Sequence, residues 1–306
     1  MLGQYRTRFK NILRNTETVL IEGANIVSSN QRALVLEGLG IINNSPFDCP
    51  SKRLRGTIAS LLHAESECSR IECRHIPAIL EFIHAASLIV DDLQEGHLNR
   101  WGRPALWVRH GEPIAINTAF TMLAIAFKLN DFLGLHNNLS LPDTLNEMLD
   151  AQANDLLAQH LHQKKLAGYL KIASGKTGAL FGLAIELGGH ALDRGSKKSL
   201  THWANCLGIA HQIQDDIDDL NVDKTNIILP NSNLYFFLSA RSAHSSYEDA
   251  IGQAGRLAKK YVEKGQRELT QANISELLKD DLVFVLDTVG RRQEHKKGYL
   301  YHPSHC

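Results

Sequence analysis

Apolar residues recur at i, i+3, i+4 and i+7 along most of this chain, the repeat of a helix with one buried face. The period is clear in "RLRGTIASLLHAESEC", "IPAILEFIHAASLIVDDL", "PIAINTAFTMLAIAFKLNDFL", "TLNEMLDAQANDLLAQHL" and "SLTHWANCLGIAHQIQDDIDDL". "KTGALFGLAIELGGHAL" is apolar nearly all round, which predicts a central buried helix. Pro142 and Asp143 stand near a helix start, with Glu147 in its first turns. Alternation of period two is almost absent. The pattern predicts an all-α protein of roughly ten or more helices. Its polar breaks at "NNSPFDCPS", "GHLNRWGRP", "HNNLSLPD", "DRGSKKS" and "NVDKTNIILPNSN" are short, as loops within one bundle are.

No repeat, low-complexity run or interdomain linker interrupts the 306 residues, so one domain is expected over 1–306. Residues 1–45 are less typical of it. The basic tail "RRQEHKKGYLYHPSHC", 291–306, loses the apolar period and is expected to be mobile. A hydrophobic content of 43% supports a sizeable core. Lys+Arg and Asp+Glu are equal at 33 each, so no global field points to nucleic acid or an anionic membrane. Phosphate binding must come from local basic clusters. The five cysteines, Cys49, Cys68, Cys73, Cys206 and Cys306, form no C-x-x-C pair and read as reduced thiols. The N-terminal stretch lacks the apolar core of a signal peptide, and no window reaches ~18 uninterrupted apolar residues. A soluble cytoplasmic protein without a transmembrane span is expected.

Two acidic clusters break this picture. Asp91, Asp92 and Glu95 follow an apolar helical run, and Asp215, Asp216, Asp218 and Asp219 follow another. Asp91 and Glu95 share a helix face at i,i+4, as do Asp215 and Asp219. Like charges at that spacing cost a helix roughly 0.2–0.5 kcal/mol, and burial raises the cost sharply unless cations neutralise them. One such cluster is more often a solvated helix end. Two of them predict a site for Mg²⁺, which prefers hard oxygen ligands and completes its shell with water and substrate phosphate.

Basic residues supply the complement. "SKRLRG" places Lys52, Arg53 and Arg55 at the head of a helix, where the helix dipole already favours anions. His84 precedes Asp91 by two turns on the same face; alone it would read as a core histidine. Arg100 follows the first acidic cluster. Lys176 and Thr177 open the apolar helix after "SG", and Gln212 lies three residues before Asp215.

Together these residues resemble the trans-isoprenyl diphosphate synthases, the polyprenyl synthetase family. The likeness runs from Lys52 to Lys224. It takes in Asp91, Asp92 and Glu95 with Arg100; Ala151, Gln152, Asp155 and Leu156; Lys176–Phe181; and Gln212, Asp215, Asp216 and Asp219. The wording is most similar to that of geranylgeranyl diphosphate synthases. The resemblance implies an isoprenoid-synthase bundle around a central apolar cavity. It implies that Lys52, Arg55 and His84 hold isopentenyl diphosphate. The acids would hold three Mg²⁺ ions on an allylic diphosphate (dimethylallyl, geranyl or farnesyl), which Arg100 and Lys176 would contact. Thr177, Gln212 and Lys224 complete the implied set, and a homodimer is implied as well.

Four features depart from the family pattern. Glu95 replaces an aspartate, Trp101 an arginine and Ala151 a glycine, and the loop holding Lys224 is short. The implied reaction is head-to-tail condensation. An allylic carbon loses its diphosphate, isopentenyl diphosphate attacks, and the departed diphosphate takes the proton. No side-chain nucleophile is required, and no Ser–His or Cys–His signature is seen. Two other readings stand beside this one: a terpene cyclase or prenyltransferase with a non-isoprenoid acceptor on the same fold, and a non-catalytic partner subunit. In the family, an aromatic residue four or five positions before the first aspartate stops growth at farnesyl length. Ser87 and Ala86 are small, so a twenty-carbon product, geranylgeranyl diphosphate, is expected.

Overall fold

The computed structural model describes residues 2–41, 51–66, 71–134, 140–158, 165–221, 233–239 and 247–290. Lys224 and the 291–306 tail lie outside them. The helices are α1 Leu2–Arg8, α2 Lys10–Ala24, α3 Ser29–Gly38, α4 Leu54–Glu65, α5 Ile76–Gln94, α6 Leu106–His110, α7 Glu112–Phe132 and α8 Ser140–Ala158. They continue as α9 Leu166–Ala173, α10 Ala179–Gly188, α11 Arg194–Asn221, α12 Leu234–Ser239, α13 Tyr247–Thr270 and α14 Glu276–Gly290. The all-α architecture expected from the apolar period is the one observed.

α5 and α10 sit at the centre. α5 packs on α2, α4, α7 and α10, and α10 packs on α4, α8 and α11. α10 is apolar on nearly every side because every side meets another helix: Leu180, Phe181, Leu183, Ala184, Ile185 and Leu187 are all buried. Residues 2–41 belong to this core. Tyr5 is fully buried and donates its hydroxyl to Thr57 Oγ1 at 2.9 Å, joining α1 to α4. A smaller apolar cluster, including Tyr169, Ile213, Ile217 and Phe237, joins α9, α11, α12 and α13.

Two local features differ from the sequence expectation. Lys176 and Thr177 do not open a helix after a loop. α9 runs through a π-helical turn, Ser174–Gly178, into α10. The backbone can widen there because glycines let neighbours close in. A Cβ on Gly208 of α11 would lie 2.4 Å from Gly178 Cα, and one on Gly175 would lie 2.7 Å from Ala151 Cβ. π-turns inside helices often mark functional sites, since the extra residue turns a side chain away from its regular direction. Secondly, "NRWGRP" is a tight hairpin. Asn99 pairs with Pro104 and Arg100 with Arg103. Trp101 and Gly102 have φ of 54° and 76°, as in a two-residue turn with both φ values positive. For Trp101 this left-handed backbone costs roughly 1–2 kcal/mol.

α7 is the one described helix long and apolar enough to cross a membrane. Here it is a packed core helix, with Ala115, Ala119, Met122, Ile125 and Ala126 buried. Its other side exposes Ile116, Phe120 and Phe127, which fall on one stripe at spacings of four and seven.

Candidate active site

A cavity of about 570 Å³ opens between the C-terminal end of α5, the head of α4, the π-turn and the last turns of α11. It gathers Lys52, Arg55, His84, Ser87, Asp91, Glu95, Arg100, Lys176, Thr177, Gln212, Asp215, Asp216 and Asp219, residues up to 167 positions apart in the chain. The two acidic clusters face each other across it.

Helical geometry divides each cluster. On α5, positions 84, 87, 88, 91 and 95 follow one stripe, and all five line the cavity. Asp92 is one residue off that stripe and buried. It is gripped by Arg100, whose Nε lies 3.1 Å from both carboxylate oxygens and whose Nη2 also donates to it. Ala86 is off the stripe as well. It is 2% exposed inside the core and is not among the residues lining this cavity, whereas Ser87 is. The physical reason is the 200° turn between positions 84 and 86, since each helical residue advances about 100°.

On α11, Asp215 and Asp219 reach the cavity, and Asp215 lies 2.8 Å from His211 Nδ1. Asp216, at the cavity's edge, is more deeply buried. It accepts hydrogen bonds from Leu234 N at 2.8 Å and Gln212 Nε2 at 3.0 Å. Thr177 Oγ1 donates to Gln212 Oε1 at 2.9 Å. Thr177 and Gln212 thus orient Asp216, and Asp216 holds the start of α12.

Lys176 emerges from the π-turn among acids. Its Nζ is 3.0 Å from Glu95 Oε1, 3.1 Å from Asp155 Oδ2 and 3.9 Å from Asp91 Oδ1. Burial alone would lower its pKa, but Asp91, Glu95 and Asp155 outweigh that and raise it. The lysine stays charged. The acids are costly where they stand. Burial raises Asp91 to about 6, against the pull of Lys176. Asp219 rises to about 6 through burial and the nearby Asp215. Asp216 rises to about 7, again mainly through burial. Carboxylates raised this far by burial would be stabilised in their ionised form by a nearby cation.

The opposite end is cationic. Arg55 is buried, with its Cζ 4.5 Å from the centre of the Phe181 ring and its Nε without a protein hydrogen-bond partner. Burial lowers its pKa to about 10, so it remains a cation at neutral pH. Burial and the nearby Arg55 push His84 well below its ordinary value, so it is neutral and can donate one N–H. Arg53 lines the cavity between Lys52 and Arg55, but its guanidinium is committed elsewhere. Its backbone is left-handed at φ 47°, and its side chain turns back to Glu17 Oε1 at 2.7 Å and Leu39 O at 2.7 Å.

Among the cavity residues that sequence reasoning gave no role are His97, Tyr169 and His211, and Asp155, which it quoted only as part of a motif. His211 was findable from its i,i+4 spacing to Asp215. His97 lies 3.5 Å from Glu95 and 3.6 Å from Asp92, and its pKa is raised by its hydrogen bond to Asp92. Asp155, from α8, carried the signal of its motif, whereas Tyr169, from α9, is brought in only by the packing of that helix. Trp101, the departure from the family arginine, lines this cavity and a second one of about 300 Å³ beside Leu88 and Ile89.

Comparison with known proteins agrees with this geometry. The chain belongs to the polyprenyl synthetase family, whose sequence model matches residues 42–228. It is 30% identical over 243 residues to a farnesyl diphosphate synthase of Haemophilus influenzae, covering 74% of this chain and 77% of that protein. It is also 30% identical over 203 residues to a cyclopiane-type diterpene synthase of Penicillium chrysogenum, covering 66% of this chain but only 26% of that protein. Relatives of similar identity are named as geranylgeranyl and nonaprenyl synthases. In fold, the chain superposes with a TM-score of 0.79 on a polyprenyl synthase of Caulobacter crescentus complexed with calcium and isoprenyl diphosphate. That match is 18% identical and covers 95% of this chain and 98% of the other.

Proposed function

We propose that this protein condenses an allylic diphosphate with isopentenyl diphosphate, head to tail, to give a longer prenyl diphosphate. The observation that carries the reading is the division of one cavity into an acidic wall, with Asp91, Glu95, Asp215 and Asp219, and a separate basic end, with Lys52, Arg55 and His84. Two diphosphates need two different kinds of site, one shared with cations and one built from cationic side chains.

The acidic wall fits Mg²⁺. It offers only hard oxygen donors, in facing i,i+4 pairs, with carboxyl groups pushed upward mainly by burial, a cost that a bound cation would relieve. Three ions are proposed, by analogy with the family. Bound magnesium supplies positive charge against the oxygens of the leaving diphosphate. Lys176 and Arg100 now neutralise Glu95, Asp155 and Asp92, and turning them toward the diphosphate adds to that stabilisation. The allylic C–O bond breaks, and its electron pair leaves with the diphosphate. The double bond of isopentenyl diphosphate, held from the basic end, closes the new C–C bond. The released diphosphate accepts the proton. Leu54, Leu88 and Ile172 give this space an apolar wall against which the hydrocarbon part of the substrate can lie. Incubation with Mg²⁺, an allylic diphosphate and isopentenyl diphosphate tests the reading. A longer diphosphate supports it. A hydrocarbon or alcohol formed without isopentenyl diphosphate would favour a terpene cyclase, the reading to which Trp101 in place of arginine lends weight. No turnover would favour a non-catalytic subunit.

Lys52→Ala is expected to raise KM for isopentenyl diphosphate about tenfold, with a smaller effect on the allylic substrate. Hydrogen bonds to charged groups contribute about 1.5–3 kcal/mol. Equal effects on both substrates in steady-state assays would show that the basic end is misassigned.

The product is proposed to be geranylgeranyl diphosphate, because Ser87 is the cavity-lining residue one turn below Asp91 and is small. Ser87→Phe is expected to shift products toward fifteen carbons. Ala86→Phe instead overfills the core and costs roughly 1–3 kcal/mol. Chromatography of the products with thermal melts of both variants checks this pair. An unchanged product spectrum in a folded Ser87→Phe variant would place the chain-length determinant elsewhere.

Homodimerisation is proposed through the exposed α7 stripe of Ile116, Phe120 and Phe127. Phe120 is 67% exposed, an unusual position for a ring with apolar neighbours on both sides. Phe120→Glu should halve the mass seen by light scattering. An unchanged mass would exclude this face.

A further inference from the structure

At the other end of α4 and α10 lies a second cluster of ligating side chains that the prenyl-transfer reading does not use. His63 stands on the last turn of α4, Cys73 on a 3₁₀ turn at Ile71–His75, and His190 just beyond α10. One ligand atom from each lies within 4.8 Å of the other two. Cys73 is 1% exposed, and both histidines are partly buried. The imidazole rings are stacked, with centres 6.1 Å apart and planes 25° from parallel.

We propose that His63, Cys73 and His190 form a structural site for Zn²⁺, with a fourth position open to water. The donor set selects the ion. Two imidazoles and a thiol suit zinc and are poor ligands for Mg²⁺ or Ca²⁺. A tetrahedral zinc with bonds of about 2.0–2.3 Å sets its ligands roughly 3.3–3.8 Å apart, so the side chains need to close by only about 1 Å. The rings are prepared for it. His190 Nδ1 lies 3.1 Å from Leu187 O, which fixes a donor N–H on that nitrogen and leaves the Nε2 lone pair for a metal. His63 Nδ1 is buried with no hydrogen-bond partner, a deficit that a metal bond would remove.

The placement suggests what the ion does. Arg55 packs on Phe181 where α4 and α10 begin, and His63 packs on His190 where they end. The helices therefore run side by side from the diphosphate cavity to the zinc site. Eight residues of α4 separate Arg55 from His63, about 12 Å along the axis. The ion is too far to join the chemistry. It would fasten the far ends of the two helices whose near ends carry Arg55 and Lys176, and tie the 3₁₀ turn to them.

Chelator-stripped full-length protein, held in excess Mg²⁺ to occupy the carboxylates, is titrated with Co²⁺ and Zn²⁺. One Co²⁺ per chain is expected, with a thiolate charge-transfer band in the near ultraviolet, displaced by Zn²⁺. Zn²⁺ is expected to raise Tm by several degrees and to slow alkylation of Cys73, read by peptide mass spectrometry. Cys73→Ala should abolish the band, and His190→Gln should weaken Zn²⁺ binding at least tenfold. Absence of the band in the wild type, or its survival in Cys73→Ala, would overturn the proposal. If a variant does not fold, the wild type alone decides: no thiolate charge-transfer band on saturation with Co²⁺ means no site. None of these readouts depends on prenyl transfer.

Discussion

Asp91→Ala and Asp215→Ala are each expected to lower turnover at least a hundredfold while leaving a folded protein. Loss of groups that merely orient metal ligands costs 10- to 100-fold, so loss of a ligand itself should reach or pass the upper end. The stability of the Asp91 variant distinguishes a metal ligand from a structural acid. The Asp91 carboxyl sits at about 6, raised mainly by burial, against an ordinary 3.8. Between those values the folded state binds a proton that the unfolded chain has released. Its contribution is fully present below about pH 4 and is lost as pH rises through 6. At pH 8 without metal, the ionised Asp91 is therefore a net cost, and removing it relieves Glu95 and Asp155. Thermal melts in chelator should show Asp91→Ala gaining on the wild type from pH 5 to pH 8. Near-wild-type turnover in either variant would sink the metal assignment. A Tm deficit that grows with pH would sink the electrostatic account.

Arg53→Met should destabilise the fold by about 3–5 kcal/mol, the largest stability effect expected here. Arg53 is 2% exposed, and its guanidinium lies 2.7 Å from Glu17 and 3.7 Å from Glu81, both buried. Glu81 also accepts from Gly56 N at 2.9 Å and so holds the first turn of α4. Methionine fills much of the volume but removes the cation shared by the two carboxylates, leaving Arg55 as the charge acting on Glu81. Burial already raises the Glu81 pKa, with Arg53 the main force opposing it. Without Arg53 the carboxyl would take up a proton more readily, so the loss should be smaller at pH 5 than at pH 8. Urea unfolding at both values measures it. A loss under about 1 kcal/mol would mean that Arg53 is not the keystone of this network. Because Lys52 and Arg55 flank Arg53, a folded Arg53→Met should also weaken isopentenyl diphosphate binding.

The three basic residues of "SKRLRG" show how far the sequence could be read. Their clustering at a helix head was visible, and so was its meaning as an anion site. That Arg53 turns to Glu17 while Lys52 and Arg55 face the cavity was not. The cause is a left-handed backbone at one residue and a glutamate 36 positions earlier, and neither leaves a local signature.

The acids were more legible, because i,i+4 spacing projects Asp91 with Glu95 and Asp215 with Asp219 whatever the helices pack against. The same periodicity separates Ala86 from the cavity stripe, a distinction that 100° per residue is enough to make. The hairpin at Trp101 and the π-turn at Lys176 leave no comparable local sign. The first needs a tryptophan in a conformation it ordinarily avoids. The second depends on Gly208 and Gly178 meeting across two helices.

Helical class, the positions of the acids and the order of the motifs were thus set by local periodicity and residue chemistry, which act over one or two turns. Which acids face the cavity, which cation serves which anion, and whether His63, Cys73 and His190 meet were decided by packing. Such pairings depend on distances between segments tens to more than a hundred residues apart, and no short-range pattern encodes those distances.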